Sequence, residues 1–291
     1  MPELPEVEVT RRQIEPWLLG RRLARVETTA PSYFFLTPPA RLRRMLPGRS
    51  AVRLERRGKY LIAELDDGSR LLLHLGMTGQ LFTAGAASVR LLSAAARAAL
   101  APEAQPRFTP DAHTHLRLYF VDEGPAVLFR DVRKFGKVQL LAPGEDSERL
   151  RRLGTDALAL SGEDLFAATR ARRVAIKSLL LDQSVVAGTG NIYADEALFL
   201  AGVRPRRPAR RVSCAECEAI AAAMRRVMLR SIETGGSSIS DYVSPAGADG
   251  GYQDERRVYA RSGEPCPTCG TPIRRIVLGQ RSAHYCPRCQ R

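Results

Sequence analysis

Two Cys-x-x-Cys pairs close the chain, Cys266-Pro-Thr-Cys269 and Cys286-Pro-Arg-Cys289, with sixteen residues between them. Each such knuckle supplies two sulfurs, and two knuckles at this distance read as a tetrahedral four-thiolate zinc ribbon. Pro267 and Pro287 stiffen the knuckles, and Gly270 permits a tight exit. Two disulfides are the alternative, disfavoured because the N-terminus carries acids where a secretion signal carries cations. A third pair, Cys214-Ala-Glu-Cys217, has no second pair to complete a site. Ser213 and Glu216 form a capping box that makes Cys214 the first residue of a helix. Cys217, Ile220, Met224 and Val227 then recur at helical spacing as a buried stripe, so packing explains this pair better than metal.

The 291 residues suffice for about two domains, each with its own core. Lys and Arg total 45 against 31 Asp and Glu, a formal charge of +14. Such an excess favours a polyanionic partner, because each phosphate neutralised releases condensed counterions. Arginine enrichment from a GC-rich genome gives the same figure, so charge alone does not decide. No run of eighteen apolar residues exists. The expectation is a soluble cytoplasmic protein with no membrane partner.

Residues 1–142 read mainly as strands after one short helix. Pro5 suits a first helical turn, Glu6 and Glu8 suit its positive end, and Pro16 and Gly20 should end or kink it. Tyr60–Leu65, an Asp66-Asp67-Gly68 turn and Arg70–Leu75 form one hairpin; Leu116–Phe120 and Val127–Phe129 form another. Several such strands predict a β-sandwich. Residues 84–112, rich in Ala and Arg with prolines at 102, 106 and 110, read as a surface insertion. From about residue 150 the period becomes helical, with Ser161 and Asp164 capping one helix. A Gly/Ser/Pro/Asp-rich loop, of the long kind that is often mobile and functional, runs from Gly235 to Gly251. The fold class is therefore α+β: a β-sandwich over 1–142, a helical domain over 150–255 and the ribbon over 257–291.

The opening Met1-Pro2-Glu3-Leu4-Pro5-Glu6-Val7-Glu8 resembles the start of formamidopyrimidine-DNA glycosylases, bacterial enzymes that remove 8-oxoguanine from DNA. The resemblance continues through Arg57-Gly58-Lys59-Tyr60, His74-Leu75-Gly76-Met77-Thr78-Gly79 and Asp131-Val132-Arg133-Lys134-Phe135-Gly136. It extends through Gly188-Thr189-Gly190-Asn191-Ile192-Tyr193-Ala194 to Gln280-Arg281 between the cysteine pairs. Each motif alone is weak, and all of them in this order are specific. The family implies a nucleoid-associated monomer that acts on double-stranded DNA containing oxidised bases. It implies a bifunctional DNA glycosylase/AP lyase with one structural Zn2+ and β,δ-elimination. DNA would lie bent between the domains, and the 235–251 loop would cover the extruded base.

Chemistry explains the N-terminal proline. Removal of Met1 leaves Pro2 with a free secondary amine; an α-amino group titrates near ~8, so a useful fraction is an uncharged nucleophile. That amine can attack the sugar's anomeric carbon, expel the base and hold the sugar as an iminium. By resemblance, Glu3 is the adjacent general acid/base, Lys59 the proton donor in β-elimination and a phosphate ligand, and Arg281 the proton donor in δ-elimination. Glu6 can hydrogen-bond substrate or water at the same site. Met77, Arg133 and Phe135 match the residues that fill the stack vacated by the flipped base. Asn191 opens a helix within a helix–two-turns–helix motif over about 177–205, where it can present N–H groups to a phosphate. His113 and Arg172 match further DNA contacts. Helix capping, core packing and solvated charge are the ordinary roles of these residue types.

Two departures stand out. Val132 replaces the usual proline before Arg133, which should loosen that loop, and Ser240 stands where relatives often carry lysine. An endonuclease VIII-like enzyme for oxidised pyrimidines is the nearest rival, opposed by Leu4-Pro5 after Glu3 and by the Met77/Arg133/Phe135 set. A non-catalytic DNA-binding zinc-ribbon protein is the other, opposed by intact Pro2, Glu3 and Lys59.

Overall fold

A computed structural model describes residues 2–84, 86, 110–239 and 242–291. Met1, Ser240 and most of the 84–112 insertion therefore lie outside the described residues. The chain divides into two units, one of residues 1–147 with 234–251, the other of 148–233 with 252–291.

The first unit starts with helix α1 (Leu4–Leu18), capped by Glu3. The Glu6 carboxylate accepts from the Glu3 backbone N–H at 2.8 Å, satisfying one of the N–H groups a helix start leaves open. The helix runs through Pro16 to Leu18 rather than stopping at the proline. Pro16 and Arg12 are both exposed, so the carbonyl that loses its helix partner faces water, and only the last turn is affected.

Eight strands form two four-stranded antiparallel sheets. One has the order β1 (Leu23–Thr28), β6 (Thr114–Phe120), β7 (Val127–Asp131), β5 (Gly79–Thr83); the other β2 (Ala51–Arg57), β3 (Tyr60–Leu65), β4 (Arg70–His74), β8 (Lys137–Leu141). Both expected hairpins are present, and a short helix α2 (Pro39–Met45) joins β1 to β2. Alternate residues of both sheets, such as Leu61, Leu73, Leu116 and Phe129, meet Val7, Ile14 and Leu18 of α1 in one core. Three connections leave the strand ends as short loops: Gly58-Lys59 between β2 and β3, residues 75–78 between β4 and β5, and residues 132–136 between β7 and β8.

Residues 234–251 return to this unit. Ser237 N–H donates to Glu6 Oε1 at 2.9 Å, and Val243 packs with Phe82 and Leu128. Gly236 has φ +89°, and a Cβ there would stand 3.0 Å from the Tyr242 ring and 3.2 Å from Glu6 Cγ. Only glycine fits this approach without strain.

The second unit is helical: α3 (Glu148–Arg151), α4 (Gly162–Thr169), α5 (Ile176–Leu181), α6 (Asn191–Leu200) and α7 (Cys214–Glu233). Strands β9 (Thr155–Asp156) and β10 (Val186–Ala187) pair in parallel, and β11 (Arg274–Leu278) with β12 (Arg281–Tyr285) makes an antiparallel hairpin. Ser161 Oγ accepts from Asp164 N–H at 3.0 Å, and Ser213 with Glu216 forms the reciprocal box, at 3.2 and 2.8 Å. Cys217 is buried with Ile220, Met224 and Val227, while Cys214 is exposed, as packing requires. Helices α5 and α6, joined through residues 182–190, are the expected helix–two-turns–helix.

Glu8 of α1 receives Arg11, Arg12 and Arg56, with N–O distances of 3.0, 2.8 and 3.2 Å. Burial alone raises the carboxyl pKa, but the three guanidiniums outweigh it and hold it below the usual range. A depressed folded value contributes stability above the unfolded pKa of ~4.3 that is lost as pH falls through the folded value. Glu8→Gln is expected to cost about 1–2 kcal/mol at pH 7, between exposed and fully buried pairs. Thermal melts from pH 7 to pH 3 should show that difference shrinking; a difference independent of pH would exclude the ion cluster as its cause.

Candidate active site and metal centre

Pro2 and Glu3 are both buried at the start of α1, Glu3 with 2% exposure. Glu6, 1% exposed, uses one carboxylate oxygen on Glu3 N–H and the other on Ser237 N–H, so it fixes the chain start to the 234–251 segment. Sequence reasoning offered Glu6 to substrate or water; in the fold its carboxylate also fastens these two segments. Lys59 sits half-buried at the β2–β3 tip. Arg56 reaches from Glu8 Oε2 at 3.2 Å to the Gly58 carbonyl at 3.1 Å, tying that tip to α1.

The two loops that carry the three wedge candidates converge on one buried carboxylate. Asp131, fully buried, ends β7. Its Oδ1 accepts from Thr78 Oγ1 and from Arg133 N–H at 3.2 Å, and its Oδ2 accepts from Gly136 N–H at 2.6 Å. Arg133 N–H also lies 3.1 Å from Thr78 Oγ1. The loop carrying Met77 and the loop carrying Arg133 and Phe135 thus share one anchor. Gly76, at φ +64°, lets them close: a Cβ there would meet Gly136 N at 2.4 Å. Phe135 is 42% exposed, with the Arg133 guanidinium 4.6 Å from its ring centroid and Tyr33 Oη donating to the Arg133 carbonyl at 2.6 Å. Lys134 between them has φ +58°, a conformation that costs a non-glycine residue roughly 1–2 kcal/mol. The loop is pinned by Asp131 without a proline at 132, where Val132 is exposed. His113 joins the same end, its carbonyl accepting from Asp131 N–H at 2.9 Å.

In the second unit a buried ion pair organises the remaining candidates. Lys177 of α5 and Asp195 of α6 are both fully buried, 2.6 Å apart. Lys177 Nζ also donates to the Ser282 carbonyl at 2.5 Å, and Asp195 Oδ2 accepts from His284 N–H at 2.8 Å. Asn191 Nδ2 lies 3.3 Å from Ser282 Oγ. Three helical side chains therefore hold β12 just beyond Arg281. Gly279 and Gln280 both have positive φ, +51° and +63°, the two-residue turn that matches strand twist. It presents Arg281 exposed at the hairpin tip. Arg172 is exposed beside Asp182, at a loose 3.6 Å.

Sequence reasoning passed over Asp131, Lys177 and Asp195. Each left a signal: an acid closing the strand Val127–Asp131, a lone lysine in the apolar helix Ile176–Leu181, and the Asp195-Glu196 pair in the apolar helix Asn191–Leu200.

Cys266, Cys269, Cys286 and Cys289 bring all four sulfurs within 4.8 Å of one another. The Cys266–Cys289 and Cys269–Cys286 separations are 3.9 and 3.5 Å. Both are far beyond a disulfide bond of ~2.05 Å. They match the ~3.8 Å edge of a tetrahedron with ~2.3 Å metal–sulfur bonds, so the donor set and spacing fit zinc. The ribbon shares its core with α6: Phe199 and Leu200 pack against Val258, Ile273 and the cysteines.

Asp131→Asn replaces an acceptor for three donors with a group that must turn an N–H toward one of them. It is expected to cost about 2–3 kcal/mol, read as a lowered melting temperature of the first unit; an unchanged melt would refute the anchor. Elemental analysis should give one zinc per chain, and Cys286→Ala should release it while the sandwich stays folded. Unchanged zinc in that variant would refute the four-ligand site.

Comparison with known proteins agrees with this geometry. Residues 1–138 match the formamidopyrimidine-DNA glycosylase N-terminal domain, 153–243 the H2TH domain of the same enzymes, and 263–291 the zinc finger found in FPG and IleRS. The chain is 44% identical to a formamidopyrimidine-DNA glycosylase of Paraburkholderia phymatum and 42% identical to one of Paracoccus denitrificans, each alignment covering all of both chains. Among solved structures, the MutM (Fpg) protein of Thermus thermophilus superposes with a TM-score of 0.82 at 37% identity, over 99% of this chain and 98% of that one. The Lactococcus lactis Fpg bound to abasic-site DNA gives 0.83 at 32% identity, over 99% of each chain. The motifs, the two units and the thiolate cluster all fall inside these matches, and the chain belongs to the formamidopyrimidine-DNA glycosylase family.

Proposed function

We propose that this protein is a bifunctional DNA glycosylase/AP lyase that excises oxidised purines, 8-oxoguanine and formamidopyrimidines, from duplex DNA. The observation that carries the reading is the chain start: Glu3 caps α1, and Glu6 binds its backbone N–H, so the residue before it is held in one place. A nucleophile on a terminus needs that restraint to keep a near-attack geometry. MutM bound to carbocyclic 8-oxo-G DNA, 33% identical over the full length of both chains with a TM-score of 0.83, supports the substrate class.

In this reading the Pro2 nitrogen lone pair attacks the anomeric carbon, and the glycosidic bond breaks as the base leaves and takes a proton. The amine gives up its N–H proton, and the C1′–O4′ bond then opens as O4′ takes a proton, leaving an iminium between Pro2 and C1′. The iminium acidifies the C2′–H, and removal of that proton expels the 3′ phosphate; a second elimination expels the 5′ phosphate. Glu3 supplies acid/base catalysis at the sugar, Lys59 assists the first elimination and Arg281 the second. Met77, Arg133 and Phe135 fill the vacated stack, and His113, Arg172 and Asn191 grip the backbone. Zinc held by Cys266, Cys269, Cys286 and Cys289 would supply rigidity to the hairpin bearing Arg281. Residues 1–142 act as the catalytic domain, 150–255 as the helical DNA-binding domain and 257–291 as the ribbon, in a monomer associated with the nucleoid. No helix among the described residues is long and apolar enough to cross a membrane.

Borohydride trapping on duplexes bearing 8-oxoguanine tests reaction, substrate and nucleophile together. Blocking the Pro2 amine, or adding one residue before it, should abolish base release and trapping. Glu3→Gln should bind damaged duplex within severalfold of the parent yet excise at least ~100-fold more slowly. Full lyase activity with a blocked terminus would move the nucleophile to an internal lysine, with Lys59 the first to test.

A further inference from the structure

The +14 charge is unevenly placed. Residues 170–173 and 204–211 carry eight arginines and no acid. The fold brings these two segments side by side within the second unit. Arg210 N–H donates to the Arg172 carbonyl at 3.0 Å, Ala209 N–H to Val174 at 2.8 Å, and Ile176 N–H to Arg207 at 2.8 Å. Half of the arginines are occupied. Arg170 donates to the Val212 carbonyl and lies 3.8 Å over Phe166, and Arg204 holds the Pro287 and Gln290 carbonyls at 2.8 Å. Arg207 pairs with Glu216, and Arg172 lies near Asp182.

Arg173, Arg206, Arg210 and Arg211 remain, all exposed. Among the described residues none of these four has a carboxylate partner. Crowding like charges on one ribbon is unfavourable, and a polyanion relieves it while releasing its own counterions. Guanidiniums are suited to the task, because their planar fork matches phosphate oxygens. The hydrogen-bonded backbone beneath fixes the spacing of the charges, which a disordered basic tail does not.

We propose that Arg173, Arg206, Arg210 and Arg211 form a phosphate-binding strip that grips the duplex independently of any lesion, continuing from Arg172 along the helical unit. The proposal rests on the DNA-repair reading for its ligand and extends it to undamaged DNA. It assigns these arginines to holding the enzyme on the duplex during search rather than to excision.

The test measures affinity for a short undamaged duplex against salt, for the full chain and for Arg173→Gln/Arg206→Gln/Arg210→Gln/Arg211→Gln. Each lost phosphate contact should lower the magnitude of the log–log slope by about 0.9, so a fall of about 2–4 is expected. Affinity at physiological salt should drop at least about tenfold. Melting temperature, zinc content and the single-turnover excision rate at saturating enzyme should not move. A control, Arg41→Gln/Arg44→Gln/Arg149→Gln/Arg226→Gln, removes the same charge from other exposed positions and should change the slope by less than about one contact. If the four-fold variant fails to fold, the pairs Arg173→Gln/Arg210→Gln and Arg206→Gln/Arg211→Gln replace it, each expected to give about half the effect. An unchanged slope, or an equal fall in the control, overturns the strip. A parent protein without lesion-dependent excision, whose slope still falls on substitution, keeps the strip and overturns the glycosylase reading instead.

Discussion

A loop that holds a side chain at the edge of a fold has backbone N–H groups that neither strand nor helix can satisfy. Buried and unpaired, each would cost roughly 1–3 kcal/mol. In this protein buried carboxylates take them. Asp131 accepts from Arg133 and Gly136, Glu6 from Glu3 and Ser237, and Glu196 from Arg257, Val258 and Tyr259, all at 2.6–3.2 Å. A carboxylate offers about four acceptor sites on two oxygens, so one residue can fix two segments. The candidate functional residues hang on these fasteners without belonging to them. This is why the side chains of Lys59, Arg133, Phe135 and Arg281 remain exposed or half-buried while their backbones are determined.

The second unit applies the same logic with charge compensated internally. Lys177 and Asp195 neutralise each other out of water, and each uses its spare capacity on β12. Removing one partner of such a pair is far more costly than replacing both, because the other charge is left buried. The zinc ribbon thus depends on two different anchors: four thiolates at one end, and a helical ion pair where Arg281 begins. Metal fixes the knuckles, and the ion pair fixes the direction in which the hairpin tip points.

Much of this was legible in the sequence because the signals are local. Each Cys-x-x-Cys knuckle, Ser161 and Ser213 as caps, and the strand Tyr60–Leu65 act within a few residues, and each formed as read. The sandwich also followed from the alternating strands, and the helix–two-turns–helix from the family resemblance. What escaped was non-local. Asp131 reads as an ordinary strand-end acid until Thr78 and Gly136 arrive from other loops, and Lys177 reads as a solvated cation until Asp195 and Ser282 close on it. The passage of α1 through Pro16 depended on which face was exposed, a tertiary fact. The arginines of 204–211 read as composition until the pairing with 170–173 gave them a common surface.

The Glu6–Ser237 hydrogen bond joins residues 231 positions apart. A chain emerging from the ribosome has completed both sheets and every helix up to α7 before the donor for that oxygen exists. The first unit is therefore discontinuous, and its last contact waits for almost the whole chain. Contacts of such sequence separation incur their loop-closure entropy late and form among the last. Nascent chains would carry a helix start whose local cap, Glu3 with Glu6, is complete while the second Glu6 oxygen still waits for Ser237, so the full restraint on the chain start is acquired late. Placing that closing contact between the two pieces of the second unit ties the full fastening of the chain start to synthesis past the long helix α7.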